Sequence, residues 1–148
     1  KIMDINTLHE LMQAVENDDN ESILELTNAK VKQYKNNALQ QLGLPREQLI
    51  DYNKKLKEYR FIDKLDEIQY GQFIRWFPLN IDDVSRLRLT RGGIVVDIKI
   101  LDETGIHVTC KNNLGRFFQI RFDECMVFQK LSPNEKVLLS VMDYLNKN

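Results

Sequence analysis

Residues 71–131 run GQFIRWFPL (71–79), VSRLRL (84–89), GGIVVDIKI (92–100), GIHVTC (105–110) and GRFFQIRF (115–122), with little between them except turn residues. Short runs rich in β-branched and aromatic residues, bounded by Gly, Asp and Asn, predict a compact antiparallel β-domain. Phe73, Arg75 and Phe77 share one parity and Ile74 and Trp76 the other, so both faces of this strand are apolar. Pro78 then ends it, because proline cannot donate to a ladder. Leu87 and Leu89 are odd, whereas Ile94, Val96, Ile98 and Ile100 are even, so the inward parity reverses across Gly92-Gly93. A hairpin turn or a glycine bulge at that pair is the expected cause. DETG (102–105) and KNNLG (111–115) read as hairpin turns, and Met126–Leu131 as a last short strand.

Outward from this block the period changes. Thr7 with Glu10 at capping-box distance opens a first helix carrying Leu8, Leu11, Met12 and Val15. Asn20 can cap a second that runs to Leu42, where Gly43 and Pro45 supply a stop and a new start. A third is expected from Pro45 to about Ile62, forming an antiparallel hairpin with the second. Ser132, Pro133 and Glu135 announce a terminal helix with Val137, Leu138, Val141, Met142 and Leu145 on one stripe. The expected architecture is α+β: a helical region over 1–69, then a five-stranded antiparallel small β-barrel, SH3-like or OB-like, with a C-terminal capping helix over 70–148.

The 148-residue chain has a formal net charge of −1, which hides an asymmetry. Between Lys1 and Glu25 seven acids face Lys1 alone, while residues 71–131 carry nine bases against seven acids. The β-region is thus only mildly basic, short of the stronger patch that nucleic-acid binding usually calls for. No run reaches the roughly 18 apolar residues of a membrane span and the N-terminus lacks a secretory layout, so a soluble protein without a membrane partner is expected. Cys110 and Cys125 lack zinc-type spacing and read as buried free thiols in a reducing, cytoplasmic setting.

Candidate chemistry is sparse. His9 and His107 have no neighbouring ligand or nucleophile pattern, and Asp82-Asp83, Asp102-Glu103 and Asp123-Glu124 fall on turns, where carboxylates are ordinarily solvated. No catalytic residue, metal or cofactor is expected, and Gly92-Gly93 lacks the spacing of a phosphate loop. Two binding readings remain. The helical hairpin has no evident mate, so Tyr34, Leu42, Tyr52 and Tyr59 are candidate anchors for another protein or a second copy. Alternatively, basic and aromatic residues interleave at Arg75, Trp76, Arg86, Arg88, Phe117 and Arg121, the combination that holds single-stranded RNA or DNA. Aromatics of a small barrel are more often its core, and alternating Arg is the usual solvent face of a strand.

The stretches LTRGGIVVDIKI, HVTCKN, GRFFQIRFDECMVFQKLS and EKVLLSVMDYL resemble small uncharacterised proteins of large nucleocytoplasmic DNA viruses. The resemblance covers Gly71 to Leu145 and is one of texture, not of a catalytic motif. It implies a virion or virus-factory component and carries no site residues with it. The short strands, tight turns and capping helix also resemble SH3-like and Sm-like barrels, in architecture alone. The functional expectation is a non-enzymatic structural or protein-interaction module, with a single-stranded nucleic-acid-binding barrel as the alternative.

Overall fold

A computed structural model describes residues 26–146. The expected helix around Leu8–Val15, with His9, lies outside them. Three α-helices, α1 (Asn28–Gln40), α2 (Arg46–Lys55) and α3 (Pro133–Asn146), accompany six strands: β1 (Tyr59–Ile62), β2 (Phe73–Pro78), β3 (Gly93–Leu101), β4 (Gly105–Lys111), β5 (Phe117–Arg121) and β6 (Cys125–Lys130). All six join one antiparallel sheet in the order β1-β6-β2-β3-β4-β5. The class is α+β, as expected, but the sheet has six strands where five were expected. It is not closed into a barrel, since β5 and β1 stand at opposite ends of the order with no ladder between them.

The extra strand is β1. Its residues, Tyr-Arg-Phe-Ile, lie where a continuous helix from Pro45 to Ile62 was expected; instead α2 ends at Lys55 and the chain turns at residues 56–58. Phe61 pairs with Phe128 and Ile62 with Val127, so the gain of a ladder along β6 outweighs the local helical period. A second correction concerns Gly92-Gly93, which is not a hairpin turn. The connection from β2 to β3 spans residues 79–92, and VSRLRL forms a 3-10 turn at Val84–Arg86 followed by irregular chain. The register shifts instead between Val95 and Asp97, which face Cys110 and Thr109, leaving Val96 as the extra residue. The two glycines serve close approach: a Cβ on Gly92 (φ +83°) would collide with the carbonyl of Ile74, and one on Gly93 would lie 2.8 Å from that of Lys111.

The other two hairpin turns read from sequence hold. Residues 102–104 link β3 to β4, and the β4–β5 hairpin closes on Asn112, whose N–H donates to the Arg116 carbonyl while its Oδ1 accepts the N–H groups of Leu114 and Arg116. Gly43 (φ +67°) ends the first arm of the helical hairpin. Ser132 and Glu135 form the expected reciprocal capping box, Ser132 N–H to Glu135 Oε1 at 2.9 Å and Glu135 N–H to Ser132 Oγ at 3.1 Å.

The chain divides into two compact units. In the smaller, formed by described residues up to Gln33 and from Leu131 on, Val31, Leu131, Leu138 and Leu139 make the core, and Asp143 accepts two hydrogen bonds from Asn28. In the larger, Tyr34–Lys130, the sheet separates two apolar clusters. Parity explains them: Phe77, Met126, Phe128 and Tyr59 meet Ala38, Leu39, Leu42, Tyr52 and Leu56 on one face, whereas Ile74, Trp76, Val127, Ile62, Val95, Val108 and Cys110 fill the other. Tyr52 meets Phe77 edge-on at 5.0 Å between ring centroids.

Candidate interaction surface

The helical hairpin finds its mate within its own chain. Leu42, Tyr52 and Tyr59, three of the four expected interface anchors, are 9%, 8% and 9% exposed in the core against the sheet; only Tyr34 remains on the surface. Burial raises the Tyr59 hydroxyl's pKa, with the Arg75 guanidinium opposing it. The hairpin therefore offers no large apolar face built from those side chains.

The basic-aromatic set is dispersed in a similar way. Trp76 points into the cluster with Ile74 and Val95, while its neighbour Arg75 points to the opposite face and donates from Nε to the Thr90 carbonyl at 2.8 Å. Arg86 closes the 3-10 turn, and Arg88 donates to the carbonyls of Ser85 and Leu87. Arg121 bridges Asp123 (2.7 Å) and Glu124 (3.1 Å). Asp123, despite partial desolvation, is held below the ordinary carboxylate range by backbone hydrogen bonding and Arg121. Only Phe117 and Arg121 of the six share strand β5 and one of its faces.

What the sheet does leave open is β5 itself. Phe117 is 64% exposed, Phe118 43%, and Gln119 is exposed too. No described strand pairs with the outer side of β5. The hairpin bond from Asn112 N–H to Arg116 fixes which way its backbone faces. Along an antiparallel ladder, bonded and non-bonded pairs alternate. With 112 and 116 a bonded pair, Cys110–Phe118 and Val108–Ile120 are bonded as well, so the N–H and C=O groups of Phe117, Gln119 and Arg121 point away from β4 into the open side. Their side chains occupy one face, Phe117 beneath the Lys111 ammonium at 5.7 Å. Phe118 and Ile120 occupy the other.

On that second face lies a cleft of about 560 Å³, lined by Trp76, Thr90, Arg91, Leu114, Phe118 and Ile120 among others. Thr90 fixes its wall, donating its N–H to the Trp76 carbonyl and accepting the Trp76 N–H on Oγ1. The lining is largely apolar, with Arg91 and the Asn112–Asn113 turn at the polar side. Sequence reasoning missed this site because it is assembled from four separate segments; the visible signal was the double aromatic at 117–118 followed by alternation.

Asp97 and His107 lie on the outer face, opposite Thr109 and Lys99, whereas Cys110 lies on the core face, so these three do not converge. His107 contacts Thr104 Oγ1 at 2.9 Å. Burial pushes the Cys110 thiol up to about 12 and that of Cys125 up to about 11, the latter with help from Glu124 and Asp123. Both cysteines are free. Among the described residues no group of His, Cys, Asp and Glu could hold a metal, and no helix is long and apolar enough to cross a membrane. Compared with known proteins, the chain matches no family model, no curated protein and no solved structure.

Proposed function

We propose that the protein is a non-enzymatic interaction module that adds an extended segment of a protein partner to its sheet along β5. The observation that carries this reading is the outward set of backbone groups at Phe117, Gln119 and Arg121, beside exposed aromatic side chains. Strand addition draws affinity from such main-chain groups and specificity from pockets that take alternate side chains. An added strand would present every second side chain on the face that carries the cleft beneath Phe118 and Ile120. Within this reading, the connectivity of β2 to β6, a meander whose last strand returns past the 3-10 turn at Phe122–Glu124 to pair with β2, supports an SH3-like relationship. The viral resemblance of residues 71–145 would place the module in a virion or virus factory.

The test uses a displayed library of random linear peptides, panned against the wild type and against Gln119→Pro. Proline removes only an outward donor at this position, which an edge strand tolerates. Selected peptides should alternate apolar and polar residues and lose binding to the variant. Peptides indifferent to the substitution would overturn the reading.

One contact favours a second reading, a single-stranded nucleic-acid face: Lys111 over the exposed Phe117 ring, the pairing that tracks phosphate and stacks a base. Binding of oligonucleotides that weakens steeply with salt, and that Phe117→Ala abolishes, would replace the protein-partner reading.

A further inference from the structure

Resting on the reading of β5 as a strand-accepting edge, we infer that the segment it accepts is β5 of a second copy, paired antiparallel across a two-fold axis through Gln119. The strand is five residues long, Phe117–Arg121, and full overlap with its own copy admits one register, with Gln119 facing Gln119. That register is self-complementary at every position. The outward-facing residues 117, 119 and 121 of one copy meet 121, 119 and 117 of the other, so each outward N–H finds an outward carbonyl.

The side chains agree with the backbone. On the cleft face Phe118 falls opposite Ile120 of the second copy, twice over, in non-hydrogen-bonded pairs where side chains approach most closely. On the outer face Phe117 falls opposite Arg121, whose guanidinium is paired with Asp123 and Glu124 of its own chain, and no two like charges face each other directly. The intramolecular neighbours extend the pattern: Asp97, Thr109 and Gln119 form one transverse row, which the axis continues as Gln119, Thr109 and Asp97. Moving the axis to Phe118 would set Arg116 against Ile120 and leave Arg121 beyond the overlap. The result is a continuous twelve-strand sheet with the two β1 strands at its outer limits.

A single strand pair buries little area, so the dimer belongs to the weak, concentration-dependent class. Sedimentation of the full chain over a concentration series should show a monomer–dimer equilibrium. Gln119→Pro and, separately, Phe117→Lys should weaken it by about tenfold or more; the second leaves the backbone intact and sets an ammonium against Arg121. Geometry gives a sharper readout. A bonded antiparallel pair holds its Cα atoms about 5.5 Å apart, within disulfide reach, so Gln119→Cys should cross-link to itself under mild oxidation. Phe117→Cys should not, because its copy lies two residues beyond the axis in each direction, roughly 13 Å along the strands. Equal cross-linking of the two variants, a monomer at every concentration, or a dimer untouched by Gln119→Pro would each overturn the inference. A monomer that still captures peptides through Gln119 would leave the strand-accepting reading in place; loss of both would remove it.

Discussion

The two edges of the sheet have the same kind of exposed backbone problem and opposite treatments of it. At β1 the edge is short and covered. The Tyr59 N–H donates to the Leu56 carbonyl, and the Lys35 ammonium, itself 5% exposed, donates to the carbonyls of Leu56 (2.9 Å) and Tyr59 (3.1 Å). Arg60, 2% exposed, pairs with Glu67 at 2.7 Å, and Gln129 on the adjoining strand bonds the backbone of Gln69 and Glu67. At β5 nothing comparable is found among the described residues. A sheet edge is a template for foreign strands, and folds usually blunt it with charge, proline or a covering segment. At β1 both the N–H and the carbonyl of Tyr59 are bonded within the chain, whereas no described strand pairs with the outer side of β5; on the proposed reading the second edge is the one that is used.

The largest effect should come from uncovering the closed edge. Lys35→Met removes the ammonium but leaves the carbonyls it served, and should lower stability by about 3 kcal/mol in urea unfolding. A loss below about 1 kcal/mol would show that the cover matters little. Alkaline pH comes next. The thiol of Cys110, raised to about 12, and the phenol of Tyr59, also raised, ionise later in the folded chain than in the unfolded one. Their contribution is complete below the unfolded values of 9.0 and 10.0 and is lost as pH rises beyond them toward the folded values. Cys110→Ala should therefore flatten the fall of the melting temperature above pH 9, and an unchanged slope would refute the assignment.

Hydrogen exchange of the dilute protein compares the edges directly. The amides of Phe117, Gln119 and Arg121 should exchange at least about a hundredfold faster than that of Tyr59. Equal protection would mean that β5 is covered. The smallest effect is expected at the open edge: Phe117→Ser should change monomer stability by no more than about 0.5 kcal/mol, since that ring is mostly in water. A loss above 2 kcal/mol in dilute solution would assign it to the core.

This contrast also explains what could be read from residues alone. Local chemistry was legible: the DETG and KNNLG hairpins, Gly43, and the Ser132–Glu135 box each depend on a few adjacent residues. The two-faced character of β2 was legible from its parity. Features decided across the sheet were not. YRFI at 59–62 carries no turn signal separating it from α2, and only pairing with β6 makes it a strand. Leu42, Tyr52 and Tyr59 looked like an unmatched stripe because their mates, Phe77, Met126 and Phe128, lie far along the chain. The bulge at Val96 moved the parity reversal away from the glycines, whose role is close packing against β2 and β4. The open edge at β5 escaped for the same reason, since backbone direction at an edge is set by register.

The position of β6 between β1 and β2 bears on how the chain acquires its structure during synthesis. Hairpins β3–β4 and β4–β5 can close as soon as residue 121 is available, because their contacts are local. Tyr59–Ile62 has no ladder partner until Val127–Lys130 exists. For that interval the covered edge is itself an unpaired strand, its aromatic residues without the neighbours that later enclose them. Strand β6 completes the side of the sheet that ends in β1, and among the described strands a chain cut before residue 125 would leave both β2 and β5 as open edges.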